Sequence, residues 1–434
     1  MTDRELVALI EGRPAATITE AAGRMRLRYD DSHRSADATP LSVSLPTQLR
    51  DHTHEPVSAF LWGLLPDNDR VLRRWARTYQ VSAASPVSML SSPVGADCAG
   101  AVQFATADRV HEITDRDGTV DWLTEADIAA KLRALEVDSA DWLGERIKAG
   151  HFSLAGAQSK TALRFDPATS RWGAPHGSEP TTHILKPGIS DLEGHALNEH
   201  VCLATARRLG LRAAVTTIEH FEEKVAVAVR RFDRTMRDGR FVRVHQEDMC
   251  QALSVHPDAK YQQDGGPGAT QIVDLIRRLL PPADASAATD RFLDALLFNW
   301  LVGGTDAHAK NYGILLSGPQ IRLAPLYDIA SMLPYEHDPL QLRLAMKVGG
   351  EYRFKAVHAR HWHKLASDLS LDPDRLLNRA RTLAEQIPDA MADACTAAAS
   401  DARIDTDLPP RMAAAVGAWS RRCLAGLERF RARS

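Results

Sequence analysis

Cysteine is scarce and scattered: Cys98, Cys202, Cys250, Cys395 and Cys423 are odd in number and form no C-x-x-C pair. That spacing offers no thiolate zinc site, iron cluster or redox dithiol, so the five read as reduced, packed thiols. Long apolar runs are also missing. Ala295-Leu296-Leu297-Phe298 and Ile314-Leu315-Leu316 fall far short of the roughly 18 residues a membrane span needs. No basic segment leads into an apolar stretch near Met1, so the expected location is the cytoplasm, without membrane contact. Nor is there an excess of one charge: 53 basic residues face 56 acidic ones, a net of −3. Such a balance supplies no overall field for nucleic acid, and any DNA contact needs a local patch or a partner protein.

What is present is the composition of a soluble globular protein, 44% hydrophobic and 25% charged over 434 residues, a length that suggests two or three domains. Short β-type runs broken by turn signals, Leu6–Ile10, Ala15–Ile18 and Met25–Tyr29, predict hairpins. After the alternating Leu41–Pro46, apolar residues at helical spacing (Phe60, Leu61, Leu64, Leu65, then Val71, Leu72, Trp75) predict two helices around Pro66-Asp67-Asn68. Polar residues from Thr106 to Thr119 suggest a boundary. Strands are expected at Thr161–Phe165, His183–Lys186 and Val225–Arg230, with a helix from about Gly194 to Leu209. Beyond Gln246 helical patterns dominate, at 270–280, 290–302, 358–369, 374–399 and 410–431.

The most informative segment is Gly303-Gly304-Thr305-Asp306-Ala307-His308-Ala309-Lys310-Asn311, which follows an apolar helix expected to be capped near Asp290. Asp306 and Asn311 stand in the pattern D-x-x-x-x-N. In protein kinases that spacing brings a carboxylate for the acceptor hydroxyl's proton together with an amide ligand for Mg2+. A strand-like stretch, a Gly-Pro turn and a second strand lead to Leu326-Tyr327-Asp328-Ile329, where an acidic residue suits a further Mg2+ ligand. Upstream, Lys186 ends an apolar strand, as the phosphate-contacting lysine of a kinase does, and Glu199 on the following helix is a candidate partner. Taken one at a time, each of these residues also fits a turn, a cap or a surface charge; their joint spacing favours the kinase.

Several look-alikes fail. Ser153 to Thr161 is a loop of small residues whose amides suit phosphate, but Ser159 precedes Lys160 and a strand follows, unlike a Walker A loop. His195, Glu199 and His200 lack the H-x-x-E-H spacing of a zinc protease. His358, His361 and His363 have no acidic or thiol partner and read as a solvated helix face, as do Arg73, Arg74, Arg77, Arg421 and Arg422. The segment Val229-Arg230-Arg231-Phe232-Asp233-Arg234 stands where a hinge would meet adenine, and Phe232 suits either a contact with the base or a packed aromatic. Gln246–Gln251 and Tyr261–Gly268 carry no obvious chemistry.

Together these segments resemble the HipA family of bacterial toxin kinases. The likeness rests on Ser153-Leu-Ala-Gly-Ala-Gln-Ser-Lys-Thr, Thr-His-Ile-Leu-Lys186, Arg-Phe-Asp-Arg234, Gln246-Glu-Asp-Met-Cys-Gln, Asp264-Gly-Gly-Pro-Gly, Thr-Asp306-Ala-His-Ala-Lys-Asn311 and Tyr-Asp328-Ile. It reaches the N-terminal part through Ser42-Val-Ser-Leu-Pro46, Leu64-Leu-Pro-Asp67 and Val94-Gly-Ala-Asp-Cys-Ala-Gly-Ala-Val102. The resemblance implies an α+β, two-lobed protein-kinase-like fold. A HipA-type N-terminal subdomain would take residues 1–110, a mixed α/β nucleotide-binding lobe 111–245 and a largely helical C-terminal lobe 246–434. It implies ATP with Mg2+, Asp306 as catalytic base, Asn311 and Asp328 as metal ligands, and Lys186 on the phosphates. Ala155, Gly156, Ala157, Phe232, His308 and Lys310 would complete the ATP site, and Ser153 would be the autophosphorylated serine that switches the enzyme off. The implied partners are a small HipB-like helix-turn-helix antitoxin, operator DNA reached only through it, and an aminoacyl-tRNA synthetase substrate, notably the glutamyl enzyme. Arg230 and Ser159 depart from the family pattern, where acidic residues are familiar. The competing readings are a catalytically weak scaffold that co-represses with the antitoxin, against which the presence of Asp306, Asn311, Asp328 and Lys186 speaks, and a small-molecule kinase with the same catalytic loop.

Overall fold

The computed structural model describes residues 4–35, 37–115, 118–137, 160–189, 192–335, 342–400, 403 and 406–431. Ser153, Ala155, Gly156, Ala157 and Ser159 lie outside them. The chain divides into two compact units, the first taking 1–187, 219–258 and 313–324, the second 188–218, 259–312 and 325–434.

The first unit opens with an antiparallel meander, Arg4–Ile10, Arg13–Ala21 and Arg24–Tyr29, extended by Asp51–His52 on one edge and Val102–Ala105 on the other. The turns Glu11-Gly12 and Ala22-Gly23 place both central residues at positive φ, the twist that two-residue hairpins favour. Along Arg24–Tyr29 burial alternates strictly, so three arginines face water while Met25, Leu27 and Tyr29 face the core. Helices His54–Gly63 and Pro86–Leu90 cover the meander. The alternation at Leu41–Pro46 makes no strand. It is a turn closed by the Leu45 N–H on the Ser42 carbonyl (2.9 Å) and pinned by Tyr29, whose hydroxyl donates to the Leu45 carbonyl (2.6 Å) and accepts from the Leu41 N–H (2.9 Å).

A second, six-stranded sheet contains the expected strands as Thr161–Asp166, His183–Pro187 and Lys224–Arg230, with His183–Pro187 between the other two. Apolar side chains of both sheets, among them Leu6, Ile18, Leu27, Leu163, Leu185 and Ala228, belong to one buried cluster, each large one contributing about 1.5–3 kcal/mol by leaving water. A three-stranded sheet pairs His245–Asp248 with the hairpin Gly313–Ser317 and Gln320–Leu323.

The second unit is mainly helical: His195–Arg208, Ala269–Leu279, Pro282–Val302, Ala359–Asp368, Pro373–Ala399 and Leu408–Arg431. The helix expected to be capped near Asp290 starts eight residues earlier, at Pro282. Proline in the first position sets φ for a helix at no hydrogen-bond cost, and the alanine-rich turn that follows sustains it without an apolar stripe. Asp290 is an interior residue ion-paired with Arg375. The hairpin Arg343–Val348 and Glu351–Arg353 was not legible as strands, although Gly349-Gly350, both at positive φ, form its turn.

Candidate active site

The loop that carries Asp306 begins where the helix Pro282–Val302 stops. Gly303 is left-handed (φ 77°), and a β-carbon there would lie 2.5 Å from Leu333 Cγ. At Gly304 it would lie 2.4 Å from Asn299 Oδ1. Gly303 is therefore favoured by its left-handed conformation, while a side chain at Gly304 would have to displace the Asn299 amide. The Gly303 carbonyl accepts from the Met332 N–H (3.0 Å), and the Thr305 carbonyl from the Ala345 N–H (3.1 Å), so neighbouring segments clamp the loop's entry.

Within the loop the Asp306 carbonyl accepts twice, from the His308 N–H (2.8 Å) and from Asn311 Nδ2 (2.8 Å). Because the Asn311 amide donates inward through Nδ2, its Oδ1 is the atom left as an acceptor for a cation. The Tyr327 hydroxyl donates to the Lys310 carbonyl (2.7 Å), which ties the segment carrying Asp328 to the same loop. Asp328 adopts φ 58°, a left-handed conformation uncommon for a non-glycine residue and found where the surroundings over-determine it. Asn311 and Asp328 present oxygen donors, the type that Mg2+ takes, in a number small enough to leave positions for phosphate oxygens and water. The donor chemistry fits that ion. Among the described residues no cluster of three or more His, Cys, Asp or Glu suits a metal by itself.

The expected site residues are distributed over both units. The second unit brings together Asp306, His308, Lys310, Asn311 and Asp328; three of them are packed, with His308 and Lys310 each 5% exposed and Asn311 8%, while Asp306 is exposed. The first unit carries Lys186 and Phe232. Lys186 is buried at the end of a strand flanked on both sides, and Phe232 is half-buried just past Lys224–Arg230. Glu199, buried on the helix His195–Arg208 of the second unit, is no surface glutamate. Its neighbour His200 bonds Thr216 Oγ1 (3.0 Å) and is pushed down to about 4, by burial first and by Arg207 and Arg208 second.

Two motif pairs that looked separate in the sequence are partners in the first unit. Asp97 and Asp233 are held by Arg231, Arg234 and Arg243, all five buried or nearly so. Arg231 forks onto Asp233 (Nε to Oδ1 3.0 Å, Nη2 to Oδ2 2.7 Å), and the Gly100 N–H reaches Asp233 Oδ2 (2.7 Å). Burial alone would raise the Asp97 carboxyl, but the guanidiniums of Arg234, Arg243 and Arg231 bring it well below the ordinary carboxylate range. The residues flanking Phe232 are thus fixed by charge-assisted bonds. In the same unit Glu247 accepts from the Ser42 hydroxyl (2.5 Å) and the Val43 N–H (2.8 Å), while Asp248 and Gln251 form a capping box. The segment Gln246–Gln251 is structural joinery.

One residue near the candidate base was missed. Tyr261, in the glycine-rich turn, donates its hydroxyl to Asp306 Oδ1 at 2.6 Å. Nothing in sequence spacing marks a contact between residues 45 positions apart.

Comparison with known proteins agrees with this architecture. Residues 6–105 match the HipA N-terminal domain family and residues 152–394 the HipA-like C-terminal domain family. A Sinorhizobium fredii protein named as a candidate kinase, Y4mE, is 33% identical over 420 residues, covering 93% of this chain and 96% of that one. The serine/threonine-protein kinase toxin HipA of Shewanella oneidensis is 28% identical over 366 residues, covering 82% and 80%. The solved complex of Shewanella oneidensis HipA with HipB and its operator DNA superposes with a TM-score of 0.83 at 23% identity, over 98% of this chain and 99% of that one. The fold is thus kinase-like, with a helical C-terminal region. The chain belongs to the HipA family of serine/threonine kinase toxins.

Proposed function

We propose that this chain is a working protein kinase that transfers the γ-phosphate of ATP to a serine hydroxyl and is the toxin of a toxin–antitoxin module. The observation that carries the reading is the self-bonded loop Asp306–Asn311, with its Nδ2-to-carbonyl bond and its tie to Tyr327. Asp306 accepts the proton of the acceptor serine as that oxygen attacks. Asn311 and Asp328 hold Mg2+, which when bound neutralises charge on the phosphates. Lys186 contacts the phosphates, Phe232 meets adenine, and His308 and Lys310 complete the nucleotide side of the loop. Ala155, Gly156 and Ala157 supply backbone amides. Phosphate on Ser153, roughly two negative charges in a loop that must receive ATP, switches the enzyme off by repulsion. Residues 1–110, 111–245 and 246–434 serve as N-terminal subdomain, nucleotide lobe and helical lobe.

The acceptor is an aminoacyl-tRNA synthetase, the glutamyl enzyme foremost, whose modification stops translation and growth in the cytoplasm. A HipB-like antitoxin holds the kinase in check, and DNA is reached through it; the assembly of the Shewanella relative with HipB and operator DNA supports this. The test is intact-mass and peptide mass spectrometry after incubation with Mg·ATP, beside Asp306→Gln. One added phosphate on Ser153 in the wild type alone is expected. No gain, with Ser153 unmodified at the start and nucleotide bound, would leave a scaffold that binds ATP without using it.

A further inference from the structure

We infer that Tyr261 is a positioning residue for phosphoryl transfer: its hydroxyl holds one oxygen of the Asp306 carboxylate and so reserves the other for the acceptor hydroxyl. This rests on the reading of Asp306 as the base.

The geometry is specific. Asp306 is exposed, and a carboxylate at the end of a soft, two-fold χ2 torsion has little to fix its plane. Tyr261 supplies a short bond to Oδ1, 2.6 Å, of the charge-assisted kind. The phenol is itself held. Its ring meets His308 edge-on, with centroids 4.9 Å apart and planes at 86°, and the Lys260 ammonium lies 5.6 Å from its centroid. The backbone around it is knitted to the same loop and to its neighbour. The Lys260 carbonyl accepts from the Ala309 N–H (3.3 Å), and Gln262 Oε1 from the Lys347 N–H (2.8 Å). The turn closes when the Tyr261 carbonyl accepts from Gly266 (2.9 Å) and Asp264 (3.0 Å). A β-carbon at Gly266 would lie 2.1 Å from the Ala259 carbonyl oxygen, so this glycine sets the path that delivers the tyrosine.

In the transfer step the serine oxygen forms its bond to the γ-phosphorus while the bridging bond to ADP breaks. The serine proton passes to Asp306 Oδ2, and ADP departs with the bonding electron pair. With Oδ1 engaged by Tyr261, the carboxylate meets the serine with one defined oxygen. A base left free to rotate loses a share of that orientation, and a loss of about tenfold in rate is expected.

The test compares wild type, Tyr261→Phe and Asp306→Gln with Mg·ATP and the same acceptor, alongside nucleotide titration and thermal melting. Phe keeps the ring against His308. The expected result is a kcat about tenfold lower for Tyr261→Phe, with KM for ATP and acceptor, ATP affinity and Tm unchanged; a merely structural role would move KM and Tm as well. A wild-type kcat in Tyr261→Phe, or a parallel rise in KM and fall in Tm, overturns the assignment. A faster Tyr261→Phe also overturns it, since the hydroxyl would then be occupying the acceptor's place. If wild type is as inactive as Asp306→Gln, the kinase reading falls first and this inference with it. If only Asp306→Gln is inactive and Tyr261→Phe equals wild type, this inference falls alone.

Discussion

Glu247 shows how a buried residue can set a pH response far from any chemistry. Burial pushes its carboxyl up to about 8, although the bonds from Ser42 and Val43 act the other way. The folded chain therefore keeps this proton to about pH 8, whereas the unfolded chain releases it near its ordinary value of 4.5. Over that window the folded state binds more protons, so the contribution of this residue is fully present below the window and declines as pH rises through it. Glu247→Gln keeps Oε1 as the acceptor for the Val43 N–H, lets the Ser42 hydroxyl turn to accept from Nε2 in place of donating, and does not titrate. Urea unfolding across this range should show wild-type stability falling relative to Glu247→Gln as pH increases; a constant difference would refute the shift. His245 on the same strand is pushed down to about 4 by burial and titrates in the opposite sense, which is why the variant difference is the quantity to measure. At this scale the sequence displayed the spacing of Asp306, Asn311 and Asp328 and the strand-end position of Lys186, because both are local properties of the chain. It did not display Tyr261, because a hydrogen bond across 45 residues leaves no period.

The helices of the second unit illustrate what element patterns disclose. Most bounds expected from apolar spacing lie within a residue or two of those observed, as at Pro373–Ala399 and Leu408–Arg431, because amphipathic periodicity is a local property. The exception, Pro282–Val302, extends into a stretch where alanine and an N-terminal proline replace the stripe. Pro388 lies inside Pro373–Ala399 and cannot donate to the carbonyl of Ala384. That carbonyl instead accepts from the fully buried Ser420 hydroxyl of Leu408–Arg431, at 3.0 Å. Ser420→Ala should cost about 1–3 kcal/mol by leaving the Ala384 carbonyl without its side-chain donor. In a Pro388→Ala background, where the helix can satisfy the carbonyl itself, the cost should shrink; equal costs in a double-mutant cycle by chemical denaturation would reject the account.

At the level of the molecule, the first unit is assembled from three stretches of chain. Its strand His245–Asp248 pairs with Gly313–Ser317, about 70 residues later in the chain, and Glu247 on that strand anchors Ser42 and Val43. A fragment ending at residue 245 therefore lacks the three-stranded sheet and the Glu247 anchor. It is expected to show broadened, poorly dispersed amide resonances and no cooperative melt, whereas a sharply dispersed spectrum would mean that the meander and six-stranded sheet suffice. No described helix is long and apolar enough to cross a membrane.

The sequence by itself determined most helices and strands, the helical character of the later half and the D-x-x-x-x-N spacing of Asp306 and Asn311, since each depends on short-range spacing and turn chemistry. Only the tertiary structure decided that Asp97 meets Arg231, Arg234 and Arg243, that the turn at Leu41–Pro46 hangs from Tyr29 and Glu247, and that Tyr261 meets Asp306. Each of those contacts joins residues far apart in the chain, and a buried charge or hydroxyl must find its partner wherever the packed chain delivers one.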